Sequence, residues 1–227
     1  MTELEQVQKF LKETGRYHGE VDNLWGNLTR SAIITAFTDG PDTPLCEKDF
    51  RDSAQRLNVP VAHIKAMAQV EAAGAGFYQG KPKILPEPHI FSRLTNRVFD
   101  RKYPKISYRK WGTFAYPRSQ DARYDMLLDM IRVSPMAGFA SASYGKFQIL
   151  GSNFKVCGYD SPMKFAFSMA RDEGAQLAAF ENFLRGNNIV PDLKAGNWAN
   201  VARKYNGPAY KKNKYDTKLA AAAKSFS

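Results

Sequence analysis

Apolar residues in this chain recur at helical spacing in short runs, and glycine or proline punctuates those runs. In "PVAHIKAMAQVEA", Ile64, Met67, Ala68 and Glu71 fall at i, i+3, i+4 and i+7, which is one face of a helix. Pro60 suits a first helical turn, and Gly74 and Gly76 end the helix. Leu4, Val7, Phe10 and Leu11 form a second stripe; Ala32, Ile33, Ala36 and Phe37 form a third, with Thr29 as its expected N-cap. "EKDFRDSAQRLN", a run from about Asp121, and "ARDEGAQLAAFENFLRGN" up to Gly186 read as further helices, the last as scaffold. The expected fold class is mainly α.

"TDGPDTPLCEKD", residues 38–49, joins Asp-Gly-Pro to a second proline and mixed charges, and reads as a linker. A chain of 227 residues then divides into a small module, 1–42, and a domain of ordinary size, 43–227. Charge divides there too. Residues 1–42 carry four basic and seven acidic side chains, net −3, which leaves +14 of the total +11 to the remainder. A basic body implies a polyanionic partner: nucleic acid, an anionic membrane or a phosphate- and carboxylate-bearing cell wall. From Arg203 onward seven basic residues face Asp216 alone, so this tail is a candidate for electrostatic contact with anionic wall or lipid, against the commoner reading as a solvated charged surface. Two cysteines, Cys46 and Cys157, are too few for a disulfide framework. "MTELEQVQKF" lacks the basic and apolar regions of a signal peptide, so the expected origin is the cytosol.

Glu71 is the odd residue. No lysine or arginine lies within five positions of it, and it stands on the apolar face at the end of its helix. Desolvation there raises a carboxyl pKa, which a proton donor at neutral pH requires. On these facts alone, a solvated surface glutamate is the better reading.

Two sets of motifs carry a family resemblance. Val7, Gln8, Leu11, Gly15, Tyr17, Gly19, Val21, Asp22, Trp25, Gly26, Thr29, Ala32 and Phe37 follow a pattern similar to the three-helix peptidoglycan-binding module of cell-wall hydrolases. The resemblance implies wall contact by Tyr17, Asp22 and Trp25. Asn23 stands where that family has glycine, and asparagine tolerates the left-handed turn. Further on, "VEAAGAGF", "KPKILPEPHIF", "SASYGKFQI" and "YNGPAYKKNKYD" occur in the order that resembles the phage endolysin N-acetylmuramidases of the lysozyme superfamily. That resemblance covers about residues 47–222. It implies a lysozyme-like helical catalytic domain with a minor β and loop region.

In that resemblance Glu71 is the general acid for a β-1,4 bond between N-acetylmuramic acid and N-acetylglucosamine, and Glu87 is the first choice for the second carboxylate, with Asp100, Asp121 and Asp125 as alternatives. Tyr144, Gln148, Tyr205 and Asn206 are the substrate-binding residues, with Tyr205 expected to orient the acid. Glu87 has a structural alternative, as a partner of His89 or of loop amides. Trp111 and Tyr116 are candidates for stacking on sugars, with core burial the safer reading for Trp111. Three departures bear on the site: Ala72 replaces the usual serine, and Pro86 and Pro88 replace an aromatic and an arginine. The expected protein is a monomeric endolysin with no cofactor, no metal and no nucleic-acid partner. It waits in the host cytoplasm until a membrane lesion admits it to the wall.

Three rivals remain open. A lytic transglycosylase uses the same single acid and yields 1,6-anhydro products. A zinc amidase needs three or four ligands, and the histidines are only His18, His63 and His89, with no HExxH. A non-catalytic wall-binding protein fits the charge but leaves the uncharged surroundings of Glu71 unexplained.

Overall fold

The computed structural model describes residues 1–71 and 74–227; Ala72, Ala73 and the side chains of Glu71 and Ala209 lie outside the description. Helices α1 (Glu3–Glu13), α2 (Asn27–Thr38), α3 (Glu47–Leu57) and α4 (Val61–Glu71) come first. A hairpin, β1 (Phe77–Tyr78) and β2 (Lys81–Pro82), precedes β3 (Ile84–Pro86), α5 (Pro88–Leu94), α6 (Gln120–Val133) and α7 (Pro135–Ala140). Strands β4 (Ala142–Tyr144) and β5 (Ile149–Leu150) lead into α8 (Pro162–Met169) and α9 (Glu173–Gly186). The chain closes with α10 (Val190–Lys194), α11 (Trp198–Asn206) and α12 (Tyr215–Ser225). Mainly α is therefore the observed class, and no helix among the described residues is long and apolar enough to cross a membrane.

Local chemistry explains the boundaries. Thr2 and Glu5 form a reciprocal capping box on α1, with distances of 3.2 and 2.7 Å. Asn58 ends α3 in the left-handed region at φ 53°, as asparagine can. Thr29 corrects the expectation that it caps α2. The cap is Gly26, and Thr29 sits inside the first turn, 1% exposed, where its hydroxyl meets Leu24 O and Gln8 Nε2, both at 3.3 Å.

Residues 1–42 hold two helices where the resemblance implies three. The segment between those helices is held by Gln8, which is fully buried. Its Nε2 donates to Asp22 Oδ1 at 2.8 Å and Leu24 O at 3.1 Å, and its Oε1 accepts from the Asp22 and Asn23 amides at 3.1 and 3.0 Å. One amide side chain thus satisfies the backbone of the 22–24 turn. Asn23 takes φ 61°, the left-handed turn its position requires.

The first two helices also share the core of the rest. Val7, Leu11, Ile33 and Phe37 belong to one buried cluster with Tyr124, Tyr144 and Phe165. The Phe37 ring lies 5.4 Å from Tyr124 and 5.1 Å from Phe167. Arg30 pairs with Asp125 at 2.8 Å, and Glu3 accepts from the Met136 amide at 3.0 Å. At the other end, Glu181 takes a two-pronged bond from Arg56, at 2.6 and 3.0 Å, which ties α9 to α3.

One antiparallel sheet runs β3-β4-β5, with Ile84 opposite Tyr144 and Tyr144 opposite Ile149. The β4–β5 turn, residues 145–148, is the point on which the site is built.

Candidate active site

All four motifs of the larger domain meet at that turn. From the first, Gly74 O accepts from Lys146 Nζ at 3.0 Å. From the second, Lys83 O accepts from the Gly145 amide at 2.8 Å, and the Lys83 amide donates to Gly76 O at 2.8 Å. From the fourth, the Tyr205 hydroxyl donates to Phe147 O at 2.9 Å. Segments separated by more than a hundred residues thus converge through hydrogen bonds made largely by backbone groups.

Small residues make the convergence possible. A Cβ on Gly145, which sits at φ 71°, would meet Gln176 Cδ at 2.5 Å, and one on Gly76 would meet Gln176 Oε1 at 2.4 Å. Gln176 fills the space between them, is 1% exposed, and accepts from the Lys146 amide at 2.6 Å. Its Nε2 donates to Met169 O at 2.8 Å.

Helix α4 ends at Glu71 beside this turn. The Glu71 side chain, the expected proton donor, lies outside the described residues, as does Ala72. Two hollows flank the helix end. One of about 500 Å³ is lined by Gln69, Val70, Lys218, Ala222 and Ser225. The other, about 370 Å³, is lined by Phe50, Lys65, Gln69, Gly74, Lys146 and Phe226.

Glu87 occupies the N-cap position of α5, at the end of β3, and its amide donates to Ser141 O at 2.8 Å. Its side chain is 16% exposed and accepts a short hydrogen bond from the Tyr116 hydroxyl. Burial raises the Glu87 pKa, and the Tyr116 bond opposes that rise. Tyr116 is itself raised, by burial first and then by Glu87. His89 Nδ1 lies 3.4 Å from the Glu87 carboxylate without a hydrogen bond. Burial, then Arg93, lowers the His89 pKa, so the imidazole stands neutral. The partner of Glu87 is therefore Tyr116, and the expected pairing with His89 is corrected. Trp111 corrects the reading that favoured the core: it is 71% exposed, on the same loop as Tyr116.

Tyr144 is a second correction. It is 1% exposed, its hydroxyl donates to Phe139 O at 2.9 Å, and its ring packs among Phe37 and Phe165. A ring so enclosed reaches no substrate; it supports the strand. Gln148 is exposed, at φ 46°, but its Nε2 donates to Gly145 O at 2.8 Å and Lys83 O at 3.2 Å. It staples the turn with its donor, in place of offering that donor to an acetamido group. Tyr205 is half-buried, edge-on to Phe183 at 5.5 Å, and Asn206 closes α11.

In the N-terminal segment Tyr17 is 5% exposed and bonds Glu20 O at 2.9 Å, so it is a core residue and not a wall contact. Asp22 is spent on local order: the Leu24 amide and then Gln8 lower its pKa. Trp25 is half-buried against the shared core. Exposed apolar side chains there include Val21, Leu24 and Leu28.

Glu173 is the residue sequence reasoning passed over. It is 2% exposed at the start of α9 and bonds Gly76 N at 2.6 Å and Leu45 N at 3.0 Å. Acidic residues at helix starts are ordinary, so nothing marked it. The signal was Gln176 three positions later, a second polar group on the face that carries Leu177 and Phe180.

Residues 60–227 match the N-acetylmuramidase family. The chain belongs to that family. The muramidase is accordingly a peptidoglycan glycoside hydrolase. Its fold is similar to that of a solved Burkholderia AP3 phage endolysin, with TM-score 0.74 and 29% identity over 100% of this chain and 96% of that one. No curated relative matches it.

Proposed function

We propose that the muramidase is an endolysin that hydrolyses the β-1,4 bond between N-acetylmuramic acid and N-acetylglucosamine, with Glu71 as general acid. The observation that carries this is the meeting of four motifs on the 145–148 turn next to the end of α4. A proton donor there protonates the glycosidic oxygen as positive charge develops on the sugar ring. Glu87 is the second carboxylate. The Tyr116 hydroxyl favours its ionised form against the burial that favours the acid. An ionised carboxylate in that place activates water or stabilises the cationic sugar.

Residues 1–42 form the wall-binding module, domain 43–227 the catalytic part, and peptidoglycan the substrate. Contact runs through Trp25 and the exposed Val21, Leu24 and Leu28, since Tyr17 and Asp22 are committed to internal bonds. The basic tail adds attraction to anionic wall polymers. The enzyme acts as a monomer on the host wall after the membrane is breached.

Glu71→Gln keeps the fold and releases no soluble muropeptide from purified sacculi. A folded, active variant refutes the assignment. Mass spectrometry of wild-type products shows the added water of hydrolysis; anhydro products would instead identify a transglycosylase.

A further inference from the structure

Glu173 concentrates contacts on two segments. Its amide donates to Thr43 O at 3.0 Å and its Oε2 accepts from Leu45 N at 3.0 Å, both within the linker after α2. Its Oε1 accepts from Gly76 N at 2.6 Å, on the loop that leaves Glu71. Lys146 Nζ lies 3.3 Å from one oxygen and 3.2 Å from the other, and also donates to Gly74 O at 3.0 Å. Both ion-pair side chains are well covered, 3% exposed for Glu173 and 15% for Lys146. A buried carboxylate is costly unless every lone pair is used, and here each oxygen accepts from an amide and the lysine.

We propose that Glu173 is a positioning residue for the reaction: with Lys146 it holds the 74–76 loop, and so the end of α4, against the β4–β5 turn, and locks that assembly to the linker. The proposal rests on the reading of Glu71 as the general acid. Gly74 is three residues from Glu71, so the Cα atoms lie within about 11 Å of each other. Loss of either partner leaves an uncompensated charge on the loop that leaves Glu71.

The sign depends on which charge remains. Without Glu173 the Lys146 ammonium favours ionised Glu71, lowers its pKa, and moves the alkaline limb of kcat/KM to lower pH. Without Lys146 the Glu173 carboxylate does the reverse. Other charges among the described residues near the loop include Lys218, which shares a hollow with Val70, Glu47 and Lys65, which pair at 2.6 Å, Asp172, paired with Arg171 at 3.1 Å, and Lys83, whose Nζ approaches Gly74. All three variants leave those groups unchanged.

Kinetics on soluble glycan fragments test this with Glu173→Gln, Lys146→Met and the double variant, each checked for folding by circular dichroism. Glu173→Gln lowers kcat about tenfold or more, because a loop displaced by about 1 Å costs up to about 100-fold, while KM stays within about twofold. The alkaline limb moves down by roughly half a pH unit or more in Glu173→Gln, moves up in Lys146→Met, and returns toward the wild-type position in the double variant. A packing role alone predicts equal limbs in all three, and that result overturns the proposal. If Glu173→Gln does not fold, Lys146→Met decides: a limb that stays put overturns it. Glu71→Gln in the same assay separates the two readings. An active Glu71→Gln sinks the assignment of the acid, whereas an inactive one beside unshifted limbs sinks only the role of Glu173.

Discussion

Tyr116→Phe isolates one hydroxyl acting on one carboxyl. Glu87 is 16% exposed, and its pKa is the resultant of burial, which raises it, and of the Tyr116 bond, which lowers it. A hydrogen bond to a charged group contributes about 1.5–3 kcal/mol and one between neutral groups about 0.5–1.5 kcal/mol. The difference, roughly 1–1.5 kcal/mol, corresponds to about one pKa unit. Phenylalanine therefore raises the Glu87 midpoint by about one unit.

The stability consequence has a definite sign. A carboxyl with its folded pKa above the unfolded one contributes stability that is complete below the unfolded value. That contribution is lost as pH rises through the folded value. Removal of the Tyr116 bond deepens the loss, so the variant is destabilised by about 0.5–1.5 kcal/mol in acid and by about 1.5–3 kcal/mol once Glu87 is ionised. Urea denaturation from about pH 3 to about pH 8, with ¹³C-carboxyl NMR for the Glu87 midpoint, reads both quantities. The acid limb of the rate profile moves up with the midpoint if ionised Glu87 takes part. A destabilisation that is flat with pH, or a midpoint that does not rise, refutes the reasoning.

Gln8→Leu leaves the Asp22 and Asn23 amides without their acceptor and costs about 2–3 kcal/mol in urea denaturation. Since Phe37 and Tyr144 share one core, that loss shifts a single transition; two separate transitions would contradict the shared core. Gly145→Ala forces a side chain into φ 71° and onto Gln176, costs about 1–3 kcal/mol, and lowers kcat by distorting the turn. Unchanged melting and turnover in that variant would show that the turn adapts freely.

Periodicity made the helices legible: the stripe from Ile64 to Glu71 is α4, and the run to Gly186 is α9. Glycines with fixed neighbours made the turns legible, because a backbone at positive φ leaves few residue choices. Burial of individual polar residues was not legible in the same way. Tyr144 and Tyr17 stand in motif positions yet lie in the core, and both carry an aromatic ring that suits a sugar face as well as an interior. Gln8 orders the turn between the first two helices, and its residue type says nothing about how many backbone groups it binds.

The sequence alone determined local matters: which runs are helical, where the chain turns, and which four segments carry the glycosidase motifs. Tertiary structure decided which polar groups meet. Glu173 and Gly76, Glu87 and Tyr116, Tyr205 and Phe147 are pairs brought together across long stretches of chain. The physical reason is that backbone preference acts over a few neighbouring residues, whereas the environment of a carboxylate depends on every segment folded against it.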